Sequence, residues 1–95
     1  MRREVDSINR VRYAHRRWGI DIIACILRAS HYGAKKTDLM SQCNLSFAQL
    51  KKYLSLTLEK GLVVVEKRGA YLYFKASNKG KALLESYENL EVLIE

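Results

Sequence analysis

The sequence predicts a small, mainly α domain with one β-hairpin, an α+β fold. Three observations carry that expectation. The run from Thr37 to Gly61 reads as a short helix, a tight turn and a longer helix. Two β-rich segments follow at once around Arg68-Gly69. From Ser77 onward apolar residues recur at helical spacing to the end of the chain.

The elements are expected in this order. Val5, Ile8 and Val11 form a thin apolar stripe among Arg10, Arg12, Arg16 and Arg17, so residues 1–18 read as a basic N-terminal arm or helix, with Gly19 as a soft break. A first full helix is expected from about Ile20 to His31, with Ile20, Ile23, Ile26 and Leu27 inward, Ile22 and Cys25 widening that face, and Gly33 as its stop. Ala34–Lys36 is expected to be extended, a third short strand beside the hairpin. Thr37 reads as the N-cap of the next helix, with Asp38 in its first turn facing the positive end of the helix dipole. Leu39, Met40 and Cys43 are its inward residues, and Asn44 makes the turn.

The longer helix has the clearest start. Ser46 and Gln49 form an S-x-x-Q capping box, and Leu45 with Leu50 forms the hydrophobic staple. Leu50, Leu54, Thr57 and Leu58 face inward, with Phe47 beside them, and Gly61-Leu62 fits a Schellman ending. Leu62–Lys67 and Ala70–Ala76 are the hairpin strands, with Leu72, Phe74 and Ala76 on one face and Tyr71, Tyr73 and Lys75 on the other. Ser77 caps a last helix, about Asn78 to Ile94.

Helix, turn, helix and hairpin in that order are the parts of a winged helix-turn-helix, expected over residues 19–77, with residues 78–95 as a C-terminal dimerisation helix. The charge fits a nucleic-acid binder. The net charge is +7 over 95 residues, yet residues 82–95 carry Glu85, Glu88, Glu91 and Glu95 and no basic group. A basic body is suited to phosphate and an acidic tail to something else. With the apolar face of the longer helix turned inward, Ala48, Gln49, Lys52, Ser55 and Leu56 point away, with Lys51 at one edge. The candidate DNA-binding residues are therefore Lys35, Lys36, Ser46, Gln49, Lys51, Lys52 and Ser55, with Lys67 and Arg68 at the wing. Gln49 has two readings, closing the capping box or pairing with adenine. The lysines likewise have two, a solvated face or phosphate contact. Tyr71 and Tyr73 are expected to pack against the last helix or a partner.

In the last helix Leu83, Tyr87, Leu90 and Ile94 are spaced four, three and four, an a/d seam of two heptads. These four are the candidate dimerisation residues, in a homodimer whose basic arms cover the clustered Glu. Docking back on the same domain is the alternative. Cys25 and Cys43 lack metal-ligand spacing. A buried reduced thiol is the expectation for Cys25, with a Cys25–Cys43 disulfide as the alternative.

The runs GAKKTDLM, NLS, LKKYL, EKGLV and SNKGKALL make residues 20–95 resemble the archaeal winged-helix DNA-binding and transcriptional regulator family, which includes small dimeric chromatin-associated proteins of thermophilic archaea. The resemblance implies a C-terminal helix that dimerises through an antiparallel coiled coil. It also implies DNA binding by Ser46 to Ser55 and by the wing.

The expected function is double-stranded DNA binding as a dimeric transcriptional regulator. An architectural chromatin protein of low sequence specificity and a protein-interaction module are the alternatives. No enzyme is expected: His15 and His31 lack partners at metal spacing, Ser46 belongs to a cap, and the five Gly form no phosphate loop. No catalytic residue, metal or cofactor is expected. The apolar runs IDIIACIL and LVVV are too short to span a bilayer, and no secretory signal is seen, so a cytoplasmic, nucleoid-associated protein is expected.

Overall fold

The computed structural model describes residues 19–94; the basic arm expected over 1–18 lies outside them. The elements run α1 (Gly19–Ala29), α2 (Lys36–Cys43), α3 (Phe47–Glu59), β1 (Val63–Arg68), β2 (Tyr71–Ala76) and α4 (Asn78–Ile94). This is the winged helix-turn-helix order, with the predicted mainly α plus hairpin composition.

Helix α1 buries Ile22, Ala24, Ile26 and Leu27. Ile20 is expected in that face but is 44% exposed, whereas Ile22 in the same turn is buried. The helix ends at Ala29 rather than His31. Gly33 works four residues later, at φ +103°, where its N–H donates to the Ser30 carbonyl at 3.1 Å. The expected third strand shrinks to one bridge, in which Ala34 and Phe74 exchange both backbone hydrogen bonds, at 2.9 and 2.7 Å.

Thr37 is not the cap of α2. Lys35 occupies that position in extended backbone, and the Asp38 carboxylate accepts from its N–H at 3.1 Å. The acid three residues on does the capping, which moves the start two residues earlier. Asn44 adopts the left-handed conformation at φ +53°, and the Leu45 N–H reaches back to the Met40 carbonyl at 2.9 Å. The α2–α3 turn closes as its residue types predict.

The capping box of α3 forms in both directions. Gln49 N–H donates to Ser46 Oγ at 3.1 Å, and Ser46 N–H donates to Gln49 Oε1 at 3.0 Å. Leu45 and Leu50 are both buried beneath it. At the far end Leu62 N–H bonds the Thr57 carbonyl at 2.8 Å and Gly61 N–H bonds Leu58 at 3.1 Å, the two bonds of a Schellman motif, with Gly61 at φ +74°.

The hairpin is antiparallel, from Val63 opposite Ala76 to Arg68 opposite Tyr71. Its turn is Gly69-Ala70, one residue beyond the predicted Arg68-Gly69. Gly69 at φ +60° fits the first central position of a type II′ turn, which leaves Arg68 as a paired strand residue. Phe74 and Ala76 are buried, but Leu72 is 50% exposed because the tip extends past the core.

Helix α4 docks on the corner between α3 and β1. Ser77 Oγ accepts from Gly80 N–H at 3.0 Å and donates to the Gly61 carbonyl at 2.6 Å; Ser77 N–H donates to Leu62 at 2.9 Å. The approach is so close that a Cβ on Gly80 would sit 2.1 Å from the Leu62 carbonyl oxygen. Further along, Tyr87 donates to Asp21 of α1, and Arg28 of α1 meets Glu88 at 3.1 Å. Cys25 and Cys43 join α1 to α2 as a disulfide, with Cα atoms 5.9 Å apart, which replaces the expected reduced thiol. The two helices pack side by side and their inward faces bring the sulfurs together.

Candidate nucleic-acid interface

Helix α3 is fixed by its core residues Leu50, Leu54 and Thr57, the last tied to the Leu54 carbonyl at 2.8 Å. Its opposite face is exposed: Ala48, Gln49, Lys51, Lys52 and Ser55. Lys52 is exposed, with its Nζ 5.3 Å from the Tyr53 ring centroid.

One flank of α3 borders a groove of about 190 Å³ that opens towards β2 and the start of α2. Leu50, Leu54, Leu58 and Phe74 line its apolar part. Lys36, Lys51, Ser55 and Phe47 complete it. Lys36 Nζ stands 6.0 Å from the Phe74 ring centroid. Phe47 was expected beside the core and is instead 61% exposed. It is the first residue of α3, and its position on the helix falls at the edge of the buried face.

The lysine pair at the start of α2 splits. Lys36 stands near Phe74, whereas Lys35 Nζ lies 4.6 Å over the Tyr71 ring. Tyr71 and Phe74 lie on opposite faces of the hairpin by their alternation along β2.

The wing residues split as well. The Arg68 guanidinium pairs with Glu66 at 2.6 Å, reaches the Tyr32 carbonyl at 3.3 Å and sits 4.5 Å over the Tyr73 ring. Tyr73 and Tyr71 thus each lie against one of these two cations. The hydrogen bond and charge of Arg68 hold the Glu66 carboxyl below its usual range. Lys67 is exposed and, by register, lies opposite Leu72 on the Phe74 side of the hairpin. The structure therefore brings Lys36, Lys51 and Ser55 around one groove, with Lys67 on the same face of the hairpin. Lys35 and Arg68 lie on the other face, and Ser46 and Gln49 are engaged with each other at the cap.

On α4, Leu83 and Tyr87 are half-buried against the core, while Leu90 and Ile94 are exposed, Ile94 at 77%. Leu93 and Val92, outside the predicted seam, are exposed beside them. Burial, then the Asp21 hydrogen bond, pushes the Tyr87 phenol well above its ordinary value.

Among the described residues, no cluster of three or more His, Cys, Asp or Glu could hold a metal ion. No described helix is long and apolar enough to cross a membrane.

Residues 16–95 match the family described as winged helix-turn-helix. Among solved structures, the crystal structure of Sso10a-2, a DNA-binding protein from Sulfolobus solfataricus, superposes with a TM-score of 0.70 at 18% identity, covering 82% of this chain and 85% of that one. The likeness at that identity is one of fold. No curated protein matches the chain.

Proposed function

Because the chain belongs to the winged helix-turn-helix family, we propose that it is a non-enzymatic, double-stranded DNA-binding protein that acts as a dimeric transcriptional regulator inside the cell. Helix α3 enters the major groove and the wing follows the neighbouring backbone. The observation that carries this reading is the exposed face of α3, where Ala48, Lys51, Lys52 and Ser55 stand free of the core with Lys36 beside them. Small and cationic side chains allow close approach and attract phosphate. The structural neighbour named above is itself a DNA-binding protein, which supports the same reading.

The exposed end of α4 supports dimerisation. Among the described residues Leu90, Leu93 and Ile94 are exposed, and a second copy of the helix would bury them. Two recognition helices about 34 Å apart would then meet successive major grooves.

The engagement of two candidate base readers favours a second reading, an architectural binder of low specificity. Gln49 Oε1 is committed to the cap and Arg68 to Glu66, leaving lysines to supply most of the contacts. Titration of random and selected duplexes at fixed salt separates the two, since a regulator prefers its site by at least about a thousandfold.

The test of DNA binding is Lys51→Glu with Lys52→Glu. Affinity for duplex DNA is expected to fall more than tenfold, and the salt slope by about two, one for each phosphate contact. Unchanged affinity would turn the assignment to a protein-interaction module.

A further inference from the structure

Phe47 is the first residue of α3, and its ring is 61% exposed beside a groove whose other members are mostly apolar. Lys36, Lys51 and Ser55 border the same groove. An occupant must therefore be apolar where it meets Phe47 and anionic where it meets the two ammonium groups. The next residue, Ala48, is exposed and small, and Gln49 is occupied by the Ser46 cap. The first turn of α3 thus offers an apolar surface to whatever α3 approaches.

We propose that Phe47, with Ala48, reads the 5-methyl groups of thymine in the major groove, while Lys36 and Lys51 hold the flanking phosphates. This rests on the DNA-binding reading above. The thymine methyl is the apolar group on the major-groove edge of a base pair, and phenylalanine and alanine are side chains suited to contact it. The N-terminal turn of a recognition helix is the part that meets base edges. Duplexes that present thymines to Phe47 are therefore preferred over duplexes of the same sequence without the methyl. Burying one methyl corresponds to about a fourfold gain in affinity.

The experiment compares two short A·T-rich duplexes of one sequence, one with thymine and one with deoxyuridine at every thymine position. The full chain is titrated against both at fixed salt by fluorescence anisotropy. The wild type is expected to bind the thymine duplex tighter by about fourfold or more. Phe47→Ala is expected to lose most of that preference, the remainder being the contact of Ala48, and to bind the thymine duplex with close to the affinity that the wild type shows for the uracil duplex. Phe47→Leu is expected to keep part of the preference. Equal wild-type affinity for the two duplexes overturns the proposal. A preference that persists undiminished in Phe47→Ala also overturns it, because the discrimination would then come from duplex shape. Binding to neither duplex removes the DNA-binding reading as well, whereas binding without preference removes only the role of Phe47.

Discussion

The Tyr87 hydroxyl donates a hydrogen bond to the Asp21 carboxylate, joining the middle of α4 to the first turn of α1. A hydrogen bond to a charged group contributes about 1.5–3 kcal/mol. Tyr87→Phe should therefore lower unfolding stability by about 2 kcal/mol, read by urea denaturation.

The same contact gives a pH signature. The folded state raises the Tyr87 pKa, through burial and then Asp21, so the folded chain holds this proton more tightly than the unfolded chain. The stabilisation is complete below the ordinary phenol pKa of 10.0 and is lost as pH rises above it. Stability should fall between pH 9 and 11, and Tyr87→Phe should fall less. Equal slopes for the two proteins in denaturation at both pH values would refute the linkage.

Gly80→Ala should damage the docking of α4. The added methyl would sit 2.1 Å from a backbone oxygen, with Leu27 Cδ2 at 2.9 Å on another side. The Leu62 oxygen is backbone and cannot yield without moving α4 or the residue that leads into β1. A loss of about 1–3 kcal/mol is expected in thermal unfolding.

The Cys25–Cys43 bridge closes a loop with a sequence separation of 18. Loop-closure entropy then predicts about 3 kcal/mol of stabilisation. Cys25→Ser with Cys43→Ser should lower Tm and make it insensitive to reductant, while the wild-type Tm should fall on reduction.

The wing predicts an asymmetry between neighbours. Lys67 is exposed, whereas Arg68 is held by Glu66 and Tyr73. Lys67→Ala should reduce the salt slope of DNA binding by about one, and Arg68→Ala by less. Glu66→Gln removes a negative charge and releases Arg68, so it should raise affinity. Anisotropy titrations over a range of salt read all three.

Much of this fold was legible in the sequence where residue type and backbone demand coincide. Ser46 and Gln49, Asn44, and Gly61 with Leu62 each satisfy a particular terminal hydrogen bond, and those elements fell where expected. The misses came where two residues could do one job. Thr37 and Lys35 competed for the start of α2, and Asp38 decided it by capping from inside the helix. Arg68 and Gly69 competed with Gly69 and Ala70 for the turn, and strand register decided that. Helical spacing places Ile20 in the inward face and Phe47 beside it, yet both are exposed, because spacing fixes only an angular position on the helix and not which neighbouring elements reach it. The candidate site was legible as a set of cations on α3 and the wing. Their division between the two faces of the hairpin was not, because it depends on Glu66 and on the tyrosine rings as partners.

The disulfide also changes what a cut in the chain can do. Residues 25–43 form a covalent ring that contains the exposed Tyr32 and the left-handed Gly33 between α1 and α2. A protease that nicks this connection frees no fragment, since both cut ends remain tethered through sulfur. The nicked protein should migrate as one band on a denaturing gel and part into two only after reduction.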